Sequence, residues 1–153
     1  MTTYAFYQTP FGLLKTGIAN ETLIRISLVS QQDEKNHPTC LSDEAYAQLQ
    51  AYFAGKRTDF SLPYELTGTP FQKQVWAQIA RIPYGQTVTY KDIAQAIGKP
   101  RALQATGQAV GANPLAILIP CHRVIGSNGS LTGYAWGLEM KQALLKLEQG
   151  CAE

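Results

Sequence analysis

Residues 89–112, TYKDIAQAIGKPRALQATGQAVGA, decide the fold class because they have the pattern of two short helices joined by a tight turn. Thr89, followed three residues later by Asp92, is a typical start of a helix. Gly98-Lys99-Pro100 ends that helix, and a second helix is predicted from about Arg101 to Ala112. The pair is a helix-turn-helix candidate, although many helical pairs share this pattern. The inner faces are predicted to hold Ile93, Ile97, Leu103, Thr106 or Gly107, and Val110.

The second of these helices is unusually rich in small side chains. They are Ala102, Ala105, Gly107, Ala109, Gly111 and Ala112. A helix covered with small residues allows a large partner to approach its backbone closely. Tight packing against another helix of the same chain would require the same composition. The pattern alone therefore leaves both explanations open.

The segment that follows places a thiol beside an imidazole. Ala116–Ile119 is an aliphatic run that predicts a buried strand, and Pro120 is expected to end it because proline cannot donate to a ladder. Cys121 and His122 come next, where a pocket can begin. A thiol next to an imidazole is the commonest source of a reactive thiolate. Free cysteine is also often buried without any chemical role, so the pair alone does not decide.

Two further signals lie near the C-terminus. Asn128-Gly129, within IGSNGSLTGY (125–134), is a strong hairpin signal and predicts a two-stranded wing after the helix pair. A last helix is predicted from about Leu138 to Gln149, and Glu148 borders its apolar face. A lone carboxylate there needs a partner, and His122 is the obvious candidate. A carboxylate that engages one imidazole nitrogen leaves the other to act as a base.

The N-terminal part of the chain has β-strand patterning. TYAFYQT (3–9), LLKTGIA (13–19) and LIRISLV (23–29) predict three strands, with a turn at Asn20-Glu21 between the last two. Ser42 as an N-cap predicts a helix that Gly55 ends. Its inward stripe is predicted to consist of Tyr46, Leu49 and Phe53.

Residues 55–70, GKRTDFSLPYELTGTP, have little periodicity and predict a linker. Thr69-Pro70-Phe71-Gln72 then predicts a capped helix, with Trp76 in the core. The sequence therefore predicts an α+β fold. A small N-terminal antiparallel sheet with a covering helix forms an α/β subdomain over residues 1–62. A helical, winged helix-turn-helix-like C-terminal domain over residues 63–153 contains Cys121.

Composition narrows the class of protein. Of 153 residues, 45% are hydrophobic and 16% charged, which is typical of a globular chain. The net charge of +2 permits a nucleic-acid partner without indicating one. No apolar run is long enough for a membrane span, and the N-terminus lacks a secretion signal. An odd count of three cysteines favours a reducing cytoplasm over a disulfide framework. With two histidines and no CxxC or HxxxH pair, a metal site is not expected.

The stretch IPCHRVIGSNGSLTGYAWG (119–137), with GANP (111–114) before it and LLKLE (144–148) after it, resembles the O6-alkylguanine-DNA alkyltransferases, or methylated-DNA–protein-cysteine methyltransferases. The resemblance covers at least residues 69–149. It implies a cytoplasmic monomer that binds double-stranded DNA through the minor groove and flips out an O6-alkylguanine. The alkyl group, mainly methyl, would pass irreversibly to Cys121, once per molecule and without a cofactor.

The resemblance also implies residue roles at the reacting centre. Cys121 would be the nucleophile and acceptor, His122 its base through a water, and Glu148 the residue that orients His122. Asn113 would be a hinge between the recognition helix and the active-site strand, and Tyr90 a donor toward the flipped guanine. Pro120 and Arg123 would be structural members of the motif. Residues implied near the base or the nucleotide are Val124, Ser127, Ala135 and Trp136.

On the DNA side, the resemblance points to the second helix and its approach. The residues implied to bind DNA there are Arg101, Ala102, Gln104 and Gly107. The family usually has an arginine at the position of Gln104, where it fills the gap left by the flipped base, so this chain departs from the pattern. Trp136 stands where some members have glycine, which implies a narrower pocket.

Two other functions compete with alkyl transfer. One is a DNA-binding module of the same fold without transfer activity, although such proteins lack the acceptor cysteine. The other is a cysteine hydrolase built on the same Cys-His-Glu set. Cys40, Cys151 and His37 are interpreted as incidental, because none has a catalytic partner nearby in sequence.

Overall fold

A computed structural model describes residues 1–129 and 134–150 of the chain. Their strands are β1 (Thr2–Thr9), β2 (Gly12–Ala19), β3 (Thr22–Val29), β4 (Val88–Thr89) and β5 (Val124–Ile125). Their helices are α1 (Cys40–Phe53), α2 (Pro70–Ile79), α3 (Tyr90–Ala96), α4 (Leu103–Gly111) and α5 (Leu138–Glu148), with a 3₁₀ turn at Cys121–Arg123. The predicted α+β class is confirmed.

The described residues form two units. The first comprises Met1–Thr67 together with Pro114–Ala116, and the second comprises Gly68–Asn113 together with the described residues from Ile117 onward. In the first unit, β1, β2 and β3 form an antiparallel sheet in sequence order, as predicted. Asn20 and Glu21 both have positive φ, 52° and 61°, which is the geometry of a two-residue hairpin turn that follows strand twist.

Helix α1 packs on this sheet but begins earlier than predicted. Its N-cap is Thr39, because Ser42 donates its backbone N–H to the Thr39 hydroxyl at 3.1 Å and accepts the Thr39 N–H at 2.7 Å in return. Ser42 is thus the third residue of a capping box. Of the predicted inward stripe, Leu49 is fully buried, while Tyr46 and Phe53 are half-buried and pack on the rings of Tyr7 and Phe11. The fully buried face consists of Ala45, Leu49 and Tyr52.

The linker prediction was wrong for Pro63–Glu65, which pair with β3. Leu23 donates to the Pro63 carbonyl at 2.9 Å and accepts from the Glu65 N–H at 2.9 Å. Further along the same strand, Ile26 donates to the Pro114 carbonyl at 2.8 Å and accepts from the Ala116 N–H at 3.0 Å. Two short segments, distant in sequence, therefore satisfy backbone groups of β3 that would otherwise lie at a bare edge.

In the second unit, α2, α3 and α4 pack together as the predicted helix pair with its supporting helix. Both predicted capping boxes, Thr69 with Gln72 and Thr89 with Asp92, are present. Trp76 lies in the core with 1% of its surface exposed, and its indole N–H donates to the Ala109 carbonyl at 2.8 Å. Helix α4 is therefore tied to α2 by packing and by a buried hydrogen bond.

The inner face of α4 differs from the prediction at its first residue. The buried residues are Thr106, Ala109 and Val110, whereas Leu103 is 46% exposed. The side of α4 that meets Trp76 is the side of Ala109, whose carbonyl accepts from the indole N–H. Leu103, the first residue of α4, lies on the outer side. Ile97 is the C-cap of α3 and is only half-buried, while Ile93 is buried as predicted.

The strand predicted over Ala116–Ile119 was also wrong. Ile117 has φ 72°, a left-handed conformation that no strand can contain and that is rare for a β-branched residue. β5 pairs in parallel with β4, and the Gly129 N–H closes a turn onto the Gly126 carbonyl at 2.9 Å. The return strand of the predicted wing falls on residues 130–133, outside the described residues. Among the residues that are described, no helix is long and apolar enough to cross a membrane.

Candidate active site

Cys121 opens the 3₁₀ turn that follows Pro120, and both residues are buried. The Cys121 backbone N–H donates to the Ile119 carbonyl at 2.7 Å. The Asn113 side-chain amide donates to the same carbonyl, also at 2.7 Å. Asn113 follows α4 directly, so its amide connects the end of that helix to the backbone that holds the cysteine. This is the geometry that a hinge residue requires.

The Cys121 thiol is 3% exposed, and burial raises its pKa to about 11. A hydrogen bond from Asn113 and the positive charge of Lys141 act in the opposite direction. At neutral pH the resting sulfur is therefore a thiol, not a thiolate. Nucleophilic use of this sulfur requires a base that removes the proton.

His122 is the imidazole that follows this thiol in the 3₁₀ turn. Its Nε2 lies 2.6 Å from Oε2 of Glu148, and both side chains are fully buried. Burial lowers the pKa of His122, the charges of Arg123 and Lys141 lower it further, and the hydrogen bond with Glu148 opposes them. The imidazole is therefore neutral near pH 7. With Nε2 donating to the carboxylate, Nδ1 is the basic nitrogen.

Arg123 shares the Glu148 carboxylate with His122. Its Nε donates to Oε1 at 2.7 Å and its Nη2 to Oε2 at 2.9 Å, a bidentate pair. The Gly85 N–H donates to Oε1 at 3.3 Å, and Nη1 of Arg123 donates to the Ile82 carbonyl at 2.7 Å. The sequence analysis found His122 and Glu148 but missed the loop of Ile82 and Gly85. The stretch IPYG (82–85) has the composition of a turn, but nothing in that composition indicates contacts with Arg123 or Glu148.

Lys141 is a second group that the sequence analysis missed. It is 1% exposed, and its ammonium donates to the Val124 carbonyl at 2.6 Å, with the Tyr90 ring centroid 6.0 Å away. Burial lowers its pKa, and Cys121 acts in the opposite direction. A signal was present, because Lys141 and Glu148 are seven residues apart and therefore lie on one face of α5.

Tyr90 reaches the site through the small parallel sheet. It is the first residue of α3 and follows β4, which pairs Val88 with Val124. Its ring is half-buried. Tyr90 therefore follows the strand that pairs with Val124 and Ile125, the two residues after the Cys121–Arg123 turn.

The segment after the undescribed residues contributes an aromatic pair. Tyr134 is 8% exposed and its ring centroid lies 5.3 Å from that of Trp136, edge to face. Burial, with Cys121 and Glu148 nearby, raises the pKa of Tyr134 well above its usual value. Trp136 is half-buried, and Ala135 and Ser127 are exposed. Within the described residues, no cluster of three His, Cys, Asp or Glu side chains could hold a metal ion.

The residues expected to bind DNA lie on a separate surface. Arg101 and Gln104 are exposed, and Ala102 and Gly107 are half-buried on and before α4. A Cβ placed on Gly107 or on Gly111 would meet no atom within 4 Å. Packing among the described residues therefore does not require these two glycines.

The fold and site together define a class: a two-unit protein whose helix-turn-helix unit contains a buried cysteine beside a His–Glu pair. Comparison with known families gives two matches. Residues 2–66 match the family model described as 6-O-methylguanine DNA methyltransferase, ribonuclease-like domain, and residues 70–150 match the DNA binding domain of the same family. The chain belongs to the 6-O-methylguanine DNA methyltransferase family, which confirms the resemblance drawn from the sequence.

Individual relatives agree with the family match. The chain is 60% identical to a methylated-DNA–protein-cysteine methyltransferase of Methanosarcina barkeri over 69% of this chain and 67% of the relative. It is 44% identical to the protein of that name from Methanosarcina acetivorans, over 97% and 99%. The crystal structure of Mycobacterium tuberculosis OGT in complex with DNA superposes with a TM-score of 0.88 at 42% identity, covering 97% of this chain and 93% of that one.

Proposed function

We propose that this protein repairs DNA by transferring the alkyl group of O6-alkylguanine, mainly methyl, to its own Cys121. The observation on which the proposal depends is the buried hydrogen bond of 2.6 Å between His122 and Glu148, beside a cysteine that is 3% exposed. The relatives named methylated-DNA–protein-cysteine methyltransferase support this function over a binding module without transfer. Cys121 itself supports it, since a module that only binds needs no acceptor.

The first half of the reaction is activation of the sulfur. Nδ1 of His122 takes the thiol proton through a water, and Glu148 stabilises the imidazolium that forms. The thiolate then attacks the saturated carbon attached to O6 of guanine. The S–C bond forms as the C–O6 bond breaks, and the electron pair of that bond stays on the oxygen. A soft thiolate suits attack on saturated carbon.

The second half is departure of guanine. A proton from the Tyr90 hydroxyl, or one delivered through it, neutralises the developing charge on the purine. The product on the protein is a thioether, which has no hydrolysable acyl-type bond. Cys121 is therefore not regenerated, and each protein molecule acts once.

Access to the lesion requires DNA binding and base flipping. A base inside a duplex must leave the stack before a buried sulfur can reach its O6 substituent. The match to the family's DNA binding domain, the open Cβ positions of Gly107 and Gly111, and exposed cations near α4 support binding through this helix. These cations are Lys91, Lys99 and Arg101. Such binding is expected to weaken steeply with salt.

Pocket width should set the range of lesions. We propose that Trp136 narrows the slot for the alkyl group and that Val124 and Ala135 present backbone groups to the base. A methyl group then fits better than a bulky group. Inactivation of Cys121 by free O6-benzylguanine should be slow and should become faster in Trp136→Gly. Fast inactivation that Trp136→Gly leaves unchanged would contradict this.

We propose that the protein acts as a monomer in the cytoplasm. A single chain supplies every group of the mechanism, and the acceptor must remain a free thiol, which a reducing compartment ensures. Light scattering of the protein with and without DNA tests the monomer.

The decisive experiment is intact mass measurement after incubation with a duplex that contains one O6-methylguanine. The expected result is a gain of one methyl group in place of a hydrogen, mapped by peptide sequencing to Cys121. Unmodified guanine in the same duplex serves as the control. Binding without any mass change would show the module without transfer, and repeated repair by one protein molecule would exclude the stoichiometric mechanism.

A further inference from the structure

We infer that Arg123 is a positioning residue for the reaction at Cys121: it fixes both oxygens of Glu148 and so sets the orientation and the basicity of His122. This inference rests on the proposed function for its kinetic part only. The motif resemblance gave Arg123 a structural role, whereas its contacts connect it to the imidazole that must accept the proton.

The Glu148 carboxylate has no freedom to rotate. Oε2 receives His122 Nε2 at 2.6 Å and Arg123 Nη2 at 2.9 Å. Oε1 receives Arg123 Nε at 2.7 Å and the Gly85 N–H at 3.3 Å. A carboxylate can accept at about four positions, and all four are used here. The planar fork of the guanidinium therefore defines the carboxylate plane to which His122 is aligned.

The guanidinium is anchored on its other side as well. Nη1 donates to the Ile82 carbonyl at 2.7 Å, and the guanidinium carbon lies 5.7 Å from the centroid of the Tyr84 ring. Arg123 is only 7% exposed. It therefore transmits the position of the Ile82–Gly85 loop to the carboxylate instead of following the carboxylate.

The charge of Arg123 also opposes protonation of His122. The groups whose charge acts on the imidazole are Glu148 and Lys141 from α5 and Arg123 from the 3₁₀ turn. Tyr84 lies near Glu148 and Arg123, and Tyr134 lies near Cys121 and Glu148, so both tyrosines border the same network. Glu148 favours the imidazolium, while Arg123 and Lys141 disfavour it. A His–Glu pair without the arginine would hold a proton at higher pH and would be unable to accept one from the thiol.

Two variants separate these effects. Arg123→Gln removes the charge and the fork, and Arg123→Lys keeps the charge but loses the bidentate geometry. Arg25→Gln, at an exposed position of β3, is the matched control for loss of one arginine. Because the chain has only His37 and His122, the imidazole resonances can be assigned with His37→Gln and followed by NMR across pH.

In the NMR arm, Arg123→Gln is expected to raise the pKa of His122 by about one pH unit or more. Arg123→Lys and the control are expected to leave it low. A purely structural role would not move the imidazole titration in a folded variant. An unchanged His122 titration in folded Arg123→Gln would overturn the electrostatic part of the inference, and this readout does not depend on alkyl transfer.

In the kinetic arm, alkyl transfer from an O6-methylguanine duplex is followed from about pH 5.5 to about pH 8, because the ordinary pKa of histidine lies within this range. Arg123→Lys should transfer about tenfold to a hundredfold more slowly at every pH because the carboxylate loses its fixed plane. Arg123→Gln should in addition shift the acidic limb of the profile upward. If Arg123→Gln does not fold, Arg123→Lys decides: transfer at the wild-type rate overturns the inference. Absence of transfer by the wild-type protein would instead disprove the proposed function.

Discussion

The network around Glu148 and the outer face of α4 are built in opposite ways. At Glu148, both carboxylate oxygens accept from donors within the chain, and the side chain is fully buried. On α4, Leu103 is 46% exposed, Gln104 is exposed, and a Cβ on Gly107 would touch nothing. The Glu148 carboxylate is paired inside the chain, whereas the outer face of α4 leaves an apolar side chain exposed.

This difference teaches where each region obtains its stability. A satisfied buried network is rigid and costly to disturb, since a lost partner leaves a charge unpaired away from water. A helix face with glycines and an exposed leucine gains nothing from the folded chain, and helical glycine is unfavourable. We therefore expect substitutions at the network to affect both chemistry and folding, and substitutions on α4 to affect binding alone or to stabilise the fold.

The largest effect is expected for Cys121→Ala, which should abolish alkyl transfer and leave duplex affinity almost unchanged. The thiol forms the new bond to the alkyl group, and it is not among the residues proposed to bind DNA. Intact mass after incubation with the alkylated duplex, together with a binding titration, measures both. Cys40→Ala, at an exposed cysteine, is the control and should transfer normally. Alkyl transfer to another cysteine in Cys121→Ala would refute the assignment.

Glu148→Gln comes next and should reduce both stability and rate. The glutamine amide is uncharged, so Arg123, which is 7% exposed, becomes a buried cation without a counter-charge. The free energy of unfolding should fall by about 3–5 kcal/mol. Denaturant unfolding measures the free energy, and transfer kinetics measure the rate. Equal stability of Glu148→Gln and wild type would show that the network is not the rigid region described here.

The pH dependence should follow His122. Its pKa lies below the ordinary value of 6.5 because the side chain is buried, so the base is neutral and transfer is retained at pH 6.5. As the pH falls below about 6.5, the unfolded chain binds a proton at this residue that the folded chain resists, and stability declines. The transfer rate and the thermal unfolding temperature, both measured from pH 8 downward, check the expected rate and the expected loss of stability. Increasing stability on acidification would reverse the sign.

On α4, Gln104→Arg should tighten duplex binding and speed repair. A flipped nucleotide leaves a gap in the stack, and a flat guanidinium can stack there and attract phosphates, worth about 0.5–2 kcal/mol. Reaction with free O6-methylguanine should stay the same, because nothing must be flipped. Single-turnover kinetics on both substrates isolate the flipping step. If duplex repair does not improve, another residue fills the gap, and the exposed Leu103 is the first to test.

The smallest effect, with the sharpest sign, is expected for Gly107→Ala. The added methyl meets no atom of the chain, so the free energy of unfolding should rise by about 0.5–1 kcal/mol through helix propensity. Affinity for duplex DNA should fall if a strand approaches this backbone. Denaturant unfolding measures the expected rise in stability, and a binding titration measures the expected fall in DNA affinity. Ala105→Gly, at an exposed position on the same helix, is the converse control. A destabilised Gly107→Ala would mean that the glycine serves the fold.

The sequence predicted the elements with strong local signals and missed contacts made at long range. The three strands, the two capping boxes and the last helix have local patterns and were right. The 2.6 Å contact of His122 with Glu148 was predictable because a carboxylate beside an apolar face needs a donor. Lys141 had the same kind of signal and was overlooked.

The failures have a common physical cause. Pro63–Glu65 and Pro114–Ala116 form single bridges to β3, and such short pairings leave no periodicity in a sequence. The aliphatic run that suggested a strand contains Ile117 at φ 72°, and tertiary context alone imposes that conformation. The N-cap was misplaced because Thr39 and Ser42 are both good caps, and only the geometry shows that Thr39 is the N-cap and Ser42 the third helical residue of the same capping box.

The pairing of Ile26 with Pro114 and Ala116 has a consequence for biosynthesis. During translation, β3 leaves the ribosome long before residues 114–116 are made, so part of its edge stays bare while nearly ninety intervening residues are added. Unpaired edges are templates for association between nascent chains. Synthesis that stalls before Pro114 should therefore yield a product prone to aggregate, even though its hairpins are complete. Truncated chains released from the ribosome that end before Pro114 and after Ala116 would differ in this respect by only a few residues of length.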